Sequence, residues 1–484
     1  MQTLDRDLGR VNSLETAALY SSRPLLGVGI SVVFIGLAAL FAGLWSGTPP
    51  TSLFIVVAAG LGAYMALNIG ANDVANNMGP AVGAKALSMV GAIAIAAICE
   101  SAGALLAGGD VVSTISKGII DPAGLAGGHT FIWAMMAALL SAALWVNLAT
   151  WVGAPVSTTH SVVGGVMGAG IAAAGLGAVS WPTMGAIAAS WVISPVLGGA
   201  IAAAVLAFIK WQIIYQEDKI AAARKWVPIL IGLMAAAFGA YLALKGIKKI
   251  VKIDIGTALL IGAGIGAAAT ALSTPFVRRQ SVGLENRNKS LKVLFRLPLV
   301  MSAALLSFAH GANDVANAVG PLAAIVHAQE AGDIAAKVSI PLWVMVIGAL
   351  GISFGLVLFG PKLIRMVGNQ ITKLNPMRAY CVALSAAVTV IVASWLGLPV
   401  SSTHIAVGGV FGVGFFREWH AERRSRRLSG TRPESLRLPS EERKRRKLVR
   451  RSHFLTIIAA WVITVPAAAL MSAFWFYLLT SLLG

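Results

Sequence analysis

Gly70-Ala71-Asn72-Asp73-Val74-Ala75-Asn76-Asn77-Met78-Gly79-Pro80 sets one carboxylate and three side-chain amides inside an otherwise apolar run. The pattern returns as Gly311-Ala312-Asn313-Asp314-Val315-Ala316-Asn317-Ala318-Val319-Gly320-Pro321. The surrounding chain is 57% hydrophobic and only 12% charged over 484 residues, against roughly 25% charged for a soluble protein. Many windows reach the roughly 20 apolar residues that cross a hydrocarbon core. The expected fold class is therefore an all-α polytopic membrane protein, in which each motif sits at membrane depth. Ionisable groups there are costly and face a cavity or a partner.

The chain divides by composition. Residues 1–24 are polar, and 25–46 hold a first apolar span, read as a retained anchor because a cleaved signal has a shorter apolar region. Residues 51–209 carry the first motif, a span with the lone acid Glu100, a weakly charged loop at 108–130, and then Pro155-Val156-Ser157-Thr158-Thr159-His160. Residues 210–296 link the halves through a basic stretch (210–226, expected as an interfacial helix), two plain spans and a basic loop. Residues 297–484 carry the second motif, then Pro399-Val400-Ser401-Ser402-Thr403-His404, a basic loop at 417–452 and a last span. Cys99 and Cys381 both lie in apolar runs and read as buried thiols rather than a disulfide.

Three motifs recur in one order. Asp314 follows Asp73 by 241 positions, His404 follows His160 by 244, and Trp461 follows Trp191 by 270. Cytoplasmic loops collect Lys and Arg, which puts the basic segments 210–226, 278–296, 361–378 and 417–452 inside and the loops near 108–130 and 326–339 outside. Lys245, Lys248, Lys249 and Lys252 fall in an outer connection and run against the rule. Each half then has about five crossing or re-entrant segments, with two spans between. Equivalent segments are seven apart, so the expectation is two antiparallel inverted repeats with broken or re-entrant helices plus the extra N-terminal span, the plan of secondary transporters. The N-terminus is expected in the cytoplasm and the C-terminus outside, in a bacterial inner membrane.

The chemistry follows from residue type. Asn72, Asp73 and the matching Asn313, Asp314 offer oxygens for a hard cation such as Na⁺, or a carboxylate for H⁺. Pro80 and Pro321 remove backbone donors and favour a helix break nearby. Asn76 and Asn317 share a helical face with them and are expected to contact the anion. Ser157, Thr158, Thr159 and Ser401, Ser402, Thr403 read as starts of half-helices, where hydroxyls and N–H groups favour an anion; lone hydroxyls would simply bond their own helix. His160 and His404 are expected to orient nearby backbone, Trp191 and Trp461 to pack, and Glu100 to carry a coupling ion or pair with a buried partner.

Loop 417–452 holds 14 Lys or Arg against 5 Glu. It reads as a solvated cytoplasmic loop or a contact for anionic lipid, without the aromatic interleaving of a nucleic-acid module. The sequence has no P-loop and no hydrolase motif. That argues against an enzyme and a nucleotide-driven pump, and for no cofactor beyond Na⁺ or H⁺ as coupling ion.

The doubled Gly-Ala-Asn-Asp-Val-Ala-Asn and Pro-Val-Ser-(Thr/Ser)-Thr-His motifs resemble the inorganic phosphate transporter (PiT) family over roughly residues 51–484. The resemblance implies uptake of inorganic phosphate with Na⁺ or H⁺, anion and cation sites at the Asn, Asp, Ser and Thr residues named above, and an important acid at Glu100. Some relatives carry a glutamate where this chain has Ala383, and some carry sulfate. A sulfate permease on the same scaffold is the alternative, followed by a membrane sensor or scaffold acting through loop 417–452. A homodimer is a further expectation.

Overall fold

The computed structural model describes residues 25–45, 51–121, 125, 127–153, 156–246, 253–331, 340–370, 374–429 and 451–483. Almost all of them are helical, because a backbone in hydrocarbon has no water to bond and must satisfy its N–H and C=O groups internally. Helix α1 is Leu25–Trp45. Helices α2 (Thr51–Asn72) and α3 (Val74–Gly83) carry the first motif, followed by α4 (Met89–Ala107). After the short α5 (Gly109–Ser113) come α6 (Gly128–Val152), α7 (Thr158–Ala174), α8 (Trp181–Ile209), α9 (Lys219–Lys245) and α10 (Ile255–Gln280). The short α11 (Asn288–Leu294) leads to α12 (Arg296–Ala331), which carries the second motif. Helices α13 (Leu342–Gln370), α14 (Pro376–Trp395), α15 (Ser402–Ser429) and α16 (Arg451–Leu483) complete the chain. Ten of the described helices are long and apolar enough to span a membrane, so the protein is an integral, multi-pass membrane protein.

Side-chain caps fix where several helices start. Ser88 accepts from Gly91 N, Asp218 from Ile220 N and Ala221 N, and Asn375 from Arg378 N. Each replaces an orphan donor's lost partner. Asp218 starts α9 at Lys219, ahead of the apolar run. The expected interfacial helix at 210–226 is thus absent: a π-turn, Lys210–Ile214, extends α8, and residues 219–226 are the first turns of α9. The expected loop at 417–452 is likewise helical as far as Ser429, and residues 430–450 lie outside the described residues.

Helices α6 and α14 are central, with 72% of their apolar windows buried, whereas α10 is peripheral at 17%. Around the centre, α2 packs along α13 and α4 along α12, while α7 packs along α16 and α8 along α15. The close pairs meet backbone to backbone through glycine. A Cβ on Gly70 would lie 1.8 Å from the Ile352 carbonyl oxygen, and one on Gly311 would lie 2.1 Å from that of Glu100. Close approach of this kind supplies dispersion where lipid removes the hydrophobic drive between helices.

Proline does less to the helices than expected. Helix α12 runs unbroken through Asn313 and Asp314 with Pro321 inside it, and Pro80 sits inside α3. The interruption in the first copy is at Asp73 itself, between α2 and α3. A helical proline removes one N–H, leaving the carbonyl four residues earlier without its intrahelical donor. Those carbonyls belong to Asn76 and Asn317.

Candidate substrate and cation site

Helices α7 and α15 begin at the motifs as expected. Ser157 Oγ accepts from His160 N at 3.1 Å, and Ser401 Oγ accepts from His404 N at 3.3 Å. The two serines therefore act as helix caps. The threonines that follow face the aspartate motifs. Asp73 lies between the two helix starts: Thr158 Oγ1 donates to its Oδ2 at 2.6 Å, and Thr403 Oγ1 to its Oδ1 at 3.1 Å. Ser402 Oγ donates to Asp314 Oδ2 at 3.2 Å. The amides cross between halves. Asn76 Nδ2 donates to Thr403 Oγ1 at 2.8 Å, and Asn317 Nδ2 to Thr159 Oγ1 at 3.2 Å. All these residues are at most 4% exposed.

The outer amides hold the scaffold. Asn72 Nδ2 donates to Thr150 Oγ1 on α6 at 2.9 Å, and Asn313 Nδ2 to Ser394 Oγ on α14 at 2.9 Å. Asn313 Oδ1 also accepts from Val400 N at 3.3 Å. These bonds tie the motif helices to the centre. Trp191 stacks on His160 with ring centroids 3.7 Å apart and donates to the Pro399 carbonyl at 3.1 Å, so it bridges the two Ser-Thr motifs. His160 and His404 lie together, centroids 4.4 Å apart. The side chain of Trp461, like Pro155, lies outside the described residues.

Glu100 has the buried partner that its position called for. Its Oε2 is 2.5 Å from His310 Nδ1, its Oε1 accepts from Asn77 Nδ2 at 3.0 Å, and His310 Nε2 reaches Asp314 Oδ2 at 2.7 Å. Glu100 and His310 are fully buried and Asp314 nearly so. His310 went unread in the sequence, although it directly precedes the second motif. The repeat makes it stand out: Ile69 holds that place in the first copy, and Ile352 meets Gly70 where Glu100 meets Gly311. The two halves therefore match at the aspartates but differ beside them.

Asp73, His310 and Asp314 offer ligand atoms all within 4.8 Å of one another. Asp314 Oδ1 and Asn317 Oδ1 are buried with no hydrogen-bond partner among the described residues. Two buried carboxylates, Glu100 and Asp314, share the His310 imidazole, and Asp73 lies beside it, so the cluster holds three acids and one basic group. Unpaired charge at this depth costs several kcal/mol per ion. Rich in oxygen and in acids, the cluster suits hard monovalent cations or protons.

Sequence comparison agrees with this arrangement. Residues 69–472 match the profile of the phosphate transporter family. A putative phosphate permease of Helicobacter pylori (strain J99) is 44% identical, covering 97% of this chain and 98% of that protein. A putative phosphate permease of Pyrococcus abyssi is 37% identical over 87% of this chain and 96% of its own length. A solved sodium-dependent phosphate transporter superposes with a TM-score of 0.80 at 33% identity, covering 89% of this chain and 100% of its own. With its doubled motifs, its spanning helices and these relatives, the chain belongs to the phosphate transporter family.

Proposed function

We propose that this protein takes up inorganic phosphate together with a coupling cation, Na⁺ or H⁺, in a bacterial inner membrane. The observation that carries this reading is the position of Asp73 between Thr158 and Thr403, the hydroxyls at the starts of two half-helices. As they stand, both hydroxyls are spent on the carboxylate. A cation that takes the Asp73 oxygens frees them to donate to an oxyanion, and the helix starts add their partial positive charge. Cation binding thereby builds the anion site, which is the linkage a symporter needs. The solved relative is named for sodium dependence, which favours Na⁺ at Asp73 and Asp314, with Asn317 Oδ1 and the carbonyls released by Pro80 and Pro321 as further oxygens.

Phosphate fits better than sulfate because HPO₄²⁻ and H₂PO₄⁻ carry a proton to donate. Asp314 Oδ1 and Asn317 Oδ1 are acceptors with no partner among the described residues. A carboxylate or amide oxygen that the cation leaves free can accept that proton from phosphate, whereas sulfate only accepts and offers it no donor, a loss of about 1–3 kcal/mol for a buried group left unpaired.

The halves 51–209 and 297–484 are read as inverted repeats. In support, α2 on α13 and α4 on α12 exchange roles under interchange of the halves, as do α7 on α16 and α8 on α15. The crossed amide bonds from Asn76 to Thr403 and from Asn317 to Thr159 join the two at the site. Rocking of one half against the other would expose it to each side in turn.

Uptake of labelled phosphate into proteoliposomes, with Na⁺ and pH gradients imposed separately, tests the proposal. Uptake driven by one gradient is expected, as is a phosphate affinity that rises with the concentration of that cation. No gradient-driven uptake, or an affinity indifferent to both ions, overturns it.

A further inference from the structure

A polar cavity lies at the ends of α8 and α15, and none of its described lining residues belongs to the aspartate cluster. It has a volume of about 800 Å³ and is lined by Trp211, Tyr215, Lys219, Trp419, His420 and Arg423, among others. Sites of this size hold small ligands. It forms where α8 ends in its π-turn, α9 begins, and α15 continues past its apolar portion.

The lining combines two chemistries. Trp211 and Trp419 are more than half and half exposed, respectively, and present broad aromatic faces. Lys219 and Arg423 supply cations, and neither is in an ion pair among the described residues. Asp218 caps α9, its carboxylate accepting from Ile220 N and Ala221 N, and Lys219 Nζ donates to the Gln216 carbonyl at 3.3 Å. The polar wall is also ordered. Tyr215 Oη and His420 Nε2 are 2.8 Å apart with their rings stacked, and the Arg423 guanidinium lies 5.1 Å from the Trp419 ring centroid. Exposed Trp and Tyr beside Lys and Arg at the end of spanning helices is the composition of the membrane–water interface.

We propose that this cavity binds the phosphate of an anionic phospholipid headgroup, with Lys219 and Arg423 on the phosphate and the faces of Trp211 and Trp419 along the glycerol and upper acyl chain. The position of the cavity gives the lipid a structural consequence. Helices α8 and α15 pack through Gly199 and Gly412, where a Cβ on Gly412 would lie 2.0 Å from the Gly199 carbonyl oxygen. Away from the cavity, α8 carries Trp191 within its length and α15 begins at the Ser401-Ser402-Thr403 motif. A bound headgroup therefore anchors the helix pair that also forms part of the substrate site. The proposal does not depend on which ion drives uptake.

The full-length protein, purified with a mixture of phosphatidylglycerol and phosphatidylcholine, tests it by native mass spectrometry. Wild type is expected to retain phosphatidylglycerol selectively. Each basic residue near an anionic surface contributes about fivefold to binding, so K219Q/R423Q should retain it about 25-fold less. K219R/R423K should keep it. So should R278Q/R279Q, which removes the same charge from exposed positions at the end of α10. Equal retention by K219Q/R423Q, equal loss from R278Q/R279Q, or displacement of the lipid by inorganic phosphate would each overturn the assignment; the last would identify free phosphate as the ligand.

Discussion

Asp73 and Asp314 occupy the same place in two copies of one motif, yet their surroundings differ. Asp73 has two hydroxyl donors, whereas Asp314 has Ser402 and His310, the latter held by Glu100. Asp73→Asn preserves the size of the side chain and removes its charge. It should leave the protein folded and lower gradient-driven uptake by at least about 100-fold, the upper end of what a lost supporting ligand contact costs. Full uptake in D73N proteoliposomes would remove Asp73 from the cation site. His310→Ala leaves Glu100 and Asp314 buried without the group between them, at a cost of about 3–5 kcal/mol for a broken buried pair. Replacing Glu100 by Gln as well removes one of the stranded charges. The H310A/E100Q variant should therefore lose less stability than its two single variants added together, a coupling that a double-mutant cycle of thermal unfolding measures. Strict additivity would mean that the two residues do not act as a pair.

Among the helices, contact is set by glycine more than by side-chain bulk. Gly70 and Gly355 on α2 and α13, and Gly103 and Gly311 on α4 and α12, each leave no room for a methyl group against facing backbone. Backbone cannot yield as a flexible side chain can. Gly311→Ala should destabilise by about 1–3 kcal/mol through overpacking and displace α12, which carries both His310 and Asp314. Gly264 on α10 has nothing within 4 Å of a Cβ, so Gly264→Ala should be neutral or gain up to about 1 kcal/mol from helix propensity. Denaturation of the two variants in detergent distinguishes these outcomes. The helices themselves were legible from apolar run length, but their ends were set by caps and packing. Asp218 moved the start of α9 into the basic stretch, and Pro80 and Pro321 were absorbed because the other bonds of their helices survive.

For the whole molecule, the charge pattern carries the expected orientation. Its exception has a local answer: the Lys245 ammonium pairs with the Asp110 carboxylate, tying the end of α9 to α5 and offsetting one of the four misplaced lysines. An impermeant maleimide should label Asp121→Cys from outside intact cells and Arg287→Cys only after permeabilisation; both positions are exposed and lie in loops assigned to opposite sides. Labelling of both from one side would overturn the orientation. At this scale the uptake assay with separate Na⁺ and pH gradients also decides which cation the buried acids take up.

The sequence by itself determined that the chain crosses a membrane many times, because nothing else buries so long a series of apolar runs. It also singled out both aspartate motifs and both Ser-Thr motifs, because polar groups repeated at a fixed spacing in apolar surroundings are too costly to be incidental. Tertiary structure alone decided which of them touch. Asn76 meets Thr403 across 327 positions, and Glu100 meets His310 across 210. Such contacts depend on helices brought together by glycine-lined backbone surfaces, and no local periodicity encodes them. They turned two similar motifs into one asymmetric site: the repeat supplied a pair of aspartates, and the packing of α4 against α12 gave only one of them a histidine and a second acid.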